Sequence, residues 1–257
     1  MADPQHVTLA QKGAADWNRW RRVAAVLPDL SNASLSRMDL KGYDLSHANL
    51  SRTDLSFTNL CGANLYRADL TRANLIGTYA PAANFGAAMM VGASFIGARL
   101  MAASFVDSIM RGANMASADL AEATLVKADA CQANFMDAIL VGATLKATRL
   151  NQSTFRKANL ERADLRRAMV RQADFTQAYL VASFLGQADF QESILIQANL
   201  QSARLAQTQF VRANLRRANL TETQWQTSNF LEADLRETVP AELQQTAQPT
   251  SERAAVV

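Results

Sequence analysis

From Leu30 to Leu235 a large apolar side chain returns at every fifth residue, and the phase never slips. Of these 42 centre positions, 26 are Leu and 9 are Phe; the others are Ala80, Met90, Met110, Met115, Ala130, Val170 and Trp225. Two residues before each centre lies a small partner, Ala at 28 positions and Ser or Thr at 11, with Pro28, Met38 and Tyr43 as early exceptions. An amphipathic helix repeats its apolar face every 3.6 residues and a strand every 2, so a period of five belongs to neither. In an extended segment, partner and centre point to the same side and the residue between them points away. The chain must then turn before the next partner, or the apolar side would rotate outward. A short extended side and a corner, repeated in phase, wind a solenoid with centres and partners along its axis.

Many copies are needed because one turn cannot stand alone. A buried Leu or Phe contributes about 1.5–3 kcal/mol, while ordering each residue's backbone costs roughly 1–2 kcal/mol. Stacking covers both sides of every core layer and pairs the backbone amides of neighbouring turns.

The units Ala68-Asp69-Leu70, Ala73-Asn74-Leu75, Ala158-Asn159-Leu160 and Ala218-Asn219-Leu220 resemble those of the pentapeptide-repeat family. The resemblance covers residues 28–237 and implies an all-β solenoid, a right-handed quadrilateral β-helix with four pentapeptides per turn. These residues then make about 10.5 turns and a rod of roughly 50 Å.

At the ends the rhythm changes. Val7, Ala10, Ala14, Trp17, Trp20, Ala24 and Leu27 recur at three or four residues and predict an N-terminal capping α-helix within 1–27, stopped by Pro28. An open solenoid end exposes unpaired edges, and Trp17 and Trp20 are the expected plugs. The stretch Trp17-Asn18-Arg19-Trp20-Arg21 is similar to a leader found on many members of the family, and it assigns no activity. Arg19, Arg21 and Arg22 could alternatively form a basic docking helix. Pro240 falls on the next centre and ends the repeat, although Ala241 to Gln245 could make one helical turn; residues 238–257 read as a polar, disordered tail. No second cap is visible there, although Trp225, Phe230 and Leu235 enlarge the last core layers, so a homodimer joined through the C-terminal end is expected, as in some relatives.

Lys and Arg total 26 against 23 Asp and Glu, a net charge of +3, so the chain is no polyelectrolyte. With no apolar leader and no run long enough to span a membrane, it is expected to be cytoplasmic. Cys61 and Cys131 lie too far apart along the rod for a disulfide and are expected as free thiols. Two histidines, no metal-ligand spacing and no phosphate-cradling glycine loop predict no enzyme, no metal and no cofactor.

Three surface features bear on function. Between Arg72 and Asp107 the only charge is Arg99, and Ile76, Tyr79, Pro81, Met89, Val91, Ile96, Met101 and Val106 occupy outward positions, continued by Met136 and Val141. This apolar band predicts a non-enzymatic protein-protein interaction module, a rigid scaffold or regulator for an unidentified protein partner. Second, Arg156, Lys157, Arg162, Arg166, Arg167 and Arg171 form a basic collar; a turn spreads them around the rod and leaves no single basic stripe, so a weak nucleic-acid binder is only the third reading. Third, the family resemblance implies an alternative, a DNA-mimicking protein that binds type II topoisomerase (gyrase) and confers inhibitor resistance. The aspartates skip turns along their face and arginines interrupt them, which departs from a phosphate-like column.

Overall fold

The computed structural model describes residues 1–246. The repeat folds as a right-handed quadrilateral β-helix. Each side of the square is so short that one residue per side bridges its equivalent twenty residues on, in parallel: Asp29 with Asn49, Asn49 with Asp69, and so up the rod. Leu30 N–H donates to Asn49 C=O at 2.8 Å, and Asn49 N–H to Pro28 C=O at 2.8 Å. We number the four faces by these bridging residues: the first carries Asp29 and Asn49, the second Ser34 and Asp54, the third Asp39 and Asn59, the fourth Asp44 and Asn64.

Corners follow from one backbone choice. Each centre carbonyl accepts from the next partner's N–H, as Leu30 does from Ala33 at 3.1 Å. The second residue after the centre is left-handed, with φ near +60° from Asn32 to Glu237 and Thr227 as the exception. That is a type II turn. Glycine suits the position without strain, and Gly42, Gly62, Gly77, Gly92, Gly97, Gly112 and Gly142 occupy it. Most corners instead hold Gln, Arg, Glu, Lys or Ala, at a cost of roughly 1 kcal/mol or more apiece, which the stacked core offsets.

The interior is layered. Centres and partners are almost all under 3% exposed. Phe135, Phe155 and Phe175 stack face to face, with centroids 4.7 and 4.6 Å apart. Where a partner is Ser or Thr, its hydroxyl donates to a centre carbonyl, as Thr53 does to Leu30 and Ser153 to Leu150, except at Ser108, whose hydroxyl meets the Met110 sulfur. Burial is therefore tolerated.

The N-terminal cap is two helices: α1 (Pro4–Ala10) and α2 (Ala14–Val23), broken at Gly13, whose φ is +103°. The single stripe expected over 1–27 ends early, and Val23, Val26 and Leu27 are exposed. Trp17 is fully buried against Trp20 and Tyr43, and its Nε1–H donates to Asp44 C=O at 2.8 Å. Arg21 donates to the carbonyls of Asp44 and Ser46, so it serves the cap and is not free for docking.

At the other end two expectations change. Trp225 adds to the last core layers only from their edge: the segment Trp225–Thr227 bulges into a 3-10 turn, and Trp225 packs against the core partly buried. Residues 238–246, placed in the tail, continue the structure, and the helical turn expected from Ala241 to Gln245 is present there. Val239 bridges Asn219, and a 3-10 helix at Ala241–Thr246 brings Leu243 fully into the core, beside Phe230 and Leu235 at 3% exposure. The end is thus covered, which removes the open layer that motivated the homodimer. The expectation for residues 247–257 lies outside the described residues.

Candidate protein-contact surface

The face position, just before a centre, is Asp or Asn for a local reason. Its Oδ1 accepts the N–H of the residue two further on, as in Ser46 to Asp44 at 3.1 Å and Thr71 to Asp69 at 2.9 Å. Asparagines add a ladder between coils, such as Asn74 Nδ2 to Asp54 Oδ1 at 3.0 Å. A large apolar residue at this position gives up both bonds and stands outward. Tyr79, Met89, Ile109, Ile139, Met169, Tyr179 and Ile194 do so, each about two-fifths to one-half exposed.

The third face gathers most of the predicted residues. One of its corners carries Ile76, Ile96, Ala116 and Met136 on successive coils, and the other carries Pro81, Met101, Ala121 and Val141. Between these columns run Tyr79, Arg99, Asp119 and Ile139, each bridged to the next. Tyr79, Ile96, Met101, Met136 and Ile139 are exposed; Ile76, Pro81 and Val141 are half-buried. Ile139 was missed in the sequence, and its signal is an apolar residue where Asp or Asn is the rule. Met89, Val91 and Val106 do not join this surface. They lie on or beside the first face, across the rod, with Ile109. The band read from sequence is two patches, and the larger has an arginine and a carboxylate at its middle.

The family model for pentapeptide repeats matches overlapping segments that span residues 29–239. The chain belongs to the pentapeptide-repeat family. Proteins of this family are non-enzymatic repeat scaffolds. Among solved structures, HetL, a pentapeptide-repeat protein involved in heterocyst differentiation regulation from the cyanobacterium Nostoc sp. strain PCC 7120, is 27% identical. That match covers 88% of this chain and 95% of HetL, with a TM-score of 0.33. QnrB1, a plasmid-mediated fluoroquinolone resistance protein, is 16% identical over 77% of this chain and 96% of its own, with a TM-score of 0.42. A pentapeptide-repeat protein of the Arabidopsis thaliana thylakoid lumen is 28% identical over 44% of this chain and 64% of its own, with a TM-score of 0.31. No curated protein matches the chain.

The charged groups of this pentapeptide-repeat protein are mostly committed to the rod. The collar spreads over all four corners, with Arg156 and Lys157 on one, Arg162 on the next, Arg166 and Arg167 on the third and Arg171 on the fourth. Arg156 pairs with Asp174 at 3.0 Å, Arg166 with Asp164 at 2.7 Å and Arg171 with Asp189 at 2.6 Å. Cys61 and Cys131 are free and half-buried. Burial, reinforced by Asp129, pushes the Cys131 thiol up, so it stays protonated near neutrality. Among the described residues, no His, Cys, Asp and Glu group could hold a metal, and no helix is long and apolar enough to cross a membrane.

Proposed function

We propose that this pentapeptide-repeat protein is a non-enzymatic interaction scaffold whose third face, from Ile76 to Val141, binds one protein partner. The observation that carries this reading is the composition of that face: two apolar corner columns enclose Tyr79, Arg99, Asp119 and Ile139 on four successive coils. Tyr, Met and Arg are the residue types that protein interfaces concentrate. Arg99 is exposed and makes no ion pair among the described residues, so it is available to a partner's carboxylate. The partner chemistry that fits is an apolar surface bearing an acid opposite Arg99.

The DNA-mimicking, topoisomerase-binding alternative is the weaker reading. Its phosphate equivalents would be the aspartates before the centres, and Asp29, Asp44 and Asp69 already hold a backbone N–H each. Homodimerisation at the C-terminal end remains a proposal that rests on exposed Leu231 and Val239.

The test is affinity capture from a host lysate by the wild type and by Ile96→Arg and Met101→Glu, read by mass spectrometry. Both positions are exposed, so neither change should cost more than about 0.5 kcal/mol of stability. A protein recovered by the wild type and lost by both variants supports the reading. Recovery that is indifferent to both overturns it, and recovery of topoisomerase subunits by all three promotes the alternative.

A further inference from the structure

The backbone ladder fails at one place. Up the fourth face, each residue before a centre bridges its equivalent twenty residues on, from Asp44 to Phe184 and Arg204, but Arg204 has no bridge to Gln224. The cause is Trp225, the one Trp among the centres, in the slot one coil beyond Leu205. Every other centre beyond Phe105 on this face is Leu, and an indole is much larger than the side chain the slot holds there. The segment therefore swings out, and Thr227 loses the left-handed corner conformation.

Two main-chain groups are left without their regular partners. One coil back, Leu185 N–H donates to Arg204 C=O and Arg204 N–H to Ser183 C=O, both at 2.8 Å. Leu205 N–H and Ala203 C=O should make the equivalent pair with residue 224, and among the described residues they make none. On one flank Ser228 Oγ keeps the usual partner bond to the centre carbonyl one coil back, Leu205 C=O at 2.7 Å; on the other Thr227 Oγ1 takes over the Gln207 N–H at 3.2 Å. Between them lies a cleft of about 840 Å³ bounded by Arg204, Leu205, Glu222, Gln224 and Gln226.

We propose that this cleft is a strand-addition site for an extended, acidic peptide segment of another protein. Such a segment supplies a carbonyl to Leu205 N–H and an amide to Ala203 C=O, the pair that the displaced residue 224 withholds. Both groups line the cleft without a partner among the described residues, so an extended segment laid along this edge finds one free donor and one free acceptor in strand register. Arg204 selects its charge. The side chain is exposed, its guanidinium lies 4.9 Å from the Phe184 ring centroid, and it makes no ion pair among the described residues. A carboxylate opposite it can be held by two parallel bonds. Glu222, held by Ser202 Oγ at 2.5 Å, lines the other side and excludes a second acid there, which sets the register. This site is separate from the third-face band and does not depend on it.

The experiment is selection of linear heptapeptides displayed on phage against the full chain, with Trp225→Leu and Arg204→Glu as counter-targets. Leu fills most centre slots, so Trp225→Leu should close the ladder, and the Leu205 amide, quick to exchange in the wild type, should become protected. The expected result is enrichment of peptides with one Asp or Glu, whose binding shifts the Leu205 amide resonance. Their affinity should fall about tenfold or more on either substitution, or on N-methylation of the peptide amide that meets Ala203 C=O. No enrichment over Trp225→Leu, or binding that survives N-methylation, overturns the proposal. If Trp225→Leu fails to fold by circular dichroism, Arg204→Glu and the N-methylated peptide still decide it.

Discussion

Phe155 and Phe175 stack one coil apart on the second face, with ring centroids 4.6 Å apart and planes 10° from parallel. Phe135 continues the stack from the other side at 4.7 Å. Removing the middle ring leaves a void that the neighbouring coils cannot collapse into, because the backbone ladders fix their spacing. Phe155→Ala should cost about 3–5 kcal/mol. Phe155→Leu, which most other centre slots already accommodate, should cost under about 1.5 kcal/mol. Urea midpoints of the two variants would show the gap, and equal losses would mean that the axis is less tightly packed than the stack implies.

The N-terminal cap is joined to the first coil through a small set of buried side chains. Trp17 is fully buried, and Tyr43 Oη donates to Ala10 C=O at 2.8 Å from inside the first coil. Trp17→Ala should remove about 3–5 kcal/mol. Tyr43→Phe should cost about 1–2 kcal/mol, because it strands the Ala10 carbonyl. In a solenoid the loss need not spread evenly. Hydrogen exchange should therefore show the coils of Leu30 to Leu50 opening first, while those around Leu160 keep their protection.

The rod was legible because its signal repeats. Leu30, Leu50 and Leu70 each restate the same slot, and the volume of an Ala partner states how close the coils lie. What occurs once was harder to read. Trp225 keeps the phase and so counted as a centre, although phase says nothing of whether an indole fits. Leu243 lies off the phase, yet it closes the end. Gly13 interrupts a stripe whose spacing continues through it. Ile109 and Ile139 were overlooked because their slot looks merely outward until its Asx bond to the following N–H is seen. Met89 and Ile76 looked like neighbours in the sequence and stand on different faces, because thirteen residues are well short of one turn.

Corner glycines offer a cleaner test of backbone strain. Gly62 has φ of +61° and open space where a Cβ would go, so Gly62→Ala reads the left-handed penalty alone, about 1 kcal/mol. Gly77 has φ of +63°, but its added Cβ would meet the Phe57 ring at 2.5 Å. Phe57 is over half exposed and can swing aside, losing its contact with Gly77 and the nearby guanidinium of Arg37. Gly77→Ala should therefore cost more than Gly62→Ala by about 0.5–1 kcal/mol. In the Phe57→Ala background that excess should vanish, and its persistence would place the strain in the backbone.

Acid should unravel the rod through its carboxylates. At Asp164 burial pushes the carboxyl up, but bonds from Arg166, from the Arg166 N–H and from Lys146 outweigh it and hold the group below its ordinary value. Asp129 is held down in the same way by Arg111 and Cys131. At Asp234 and Glu237 the bonds from Arg236, and from Arg217 and Arg216, are the largest influence, and both groups are lowered. A folded value below the unfolded one means that the unfolded chain binds more protons in that range. The stability these groups add is therefore complete above the ordinary carboxyl values, 3.8 for Asp and 4.5 for Glu, and is lost as pH falls through the lowered folded values. Urea midpoints should stay level from neutrality to about pH 5 and fall below about pH 4. Each pair is partly exposed and screened by solvent, so the fall is the sum of several small contributions. Asp164→Asn should lower the neutral midpoint slightly and shrink the drop between pH 5 and pH 3, whereas an acid response identical to the wild type would mean that Asp164 adds nothing through its charge.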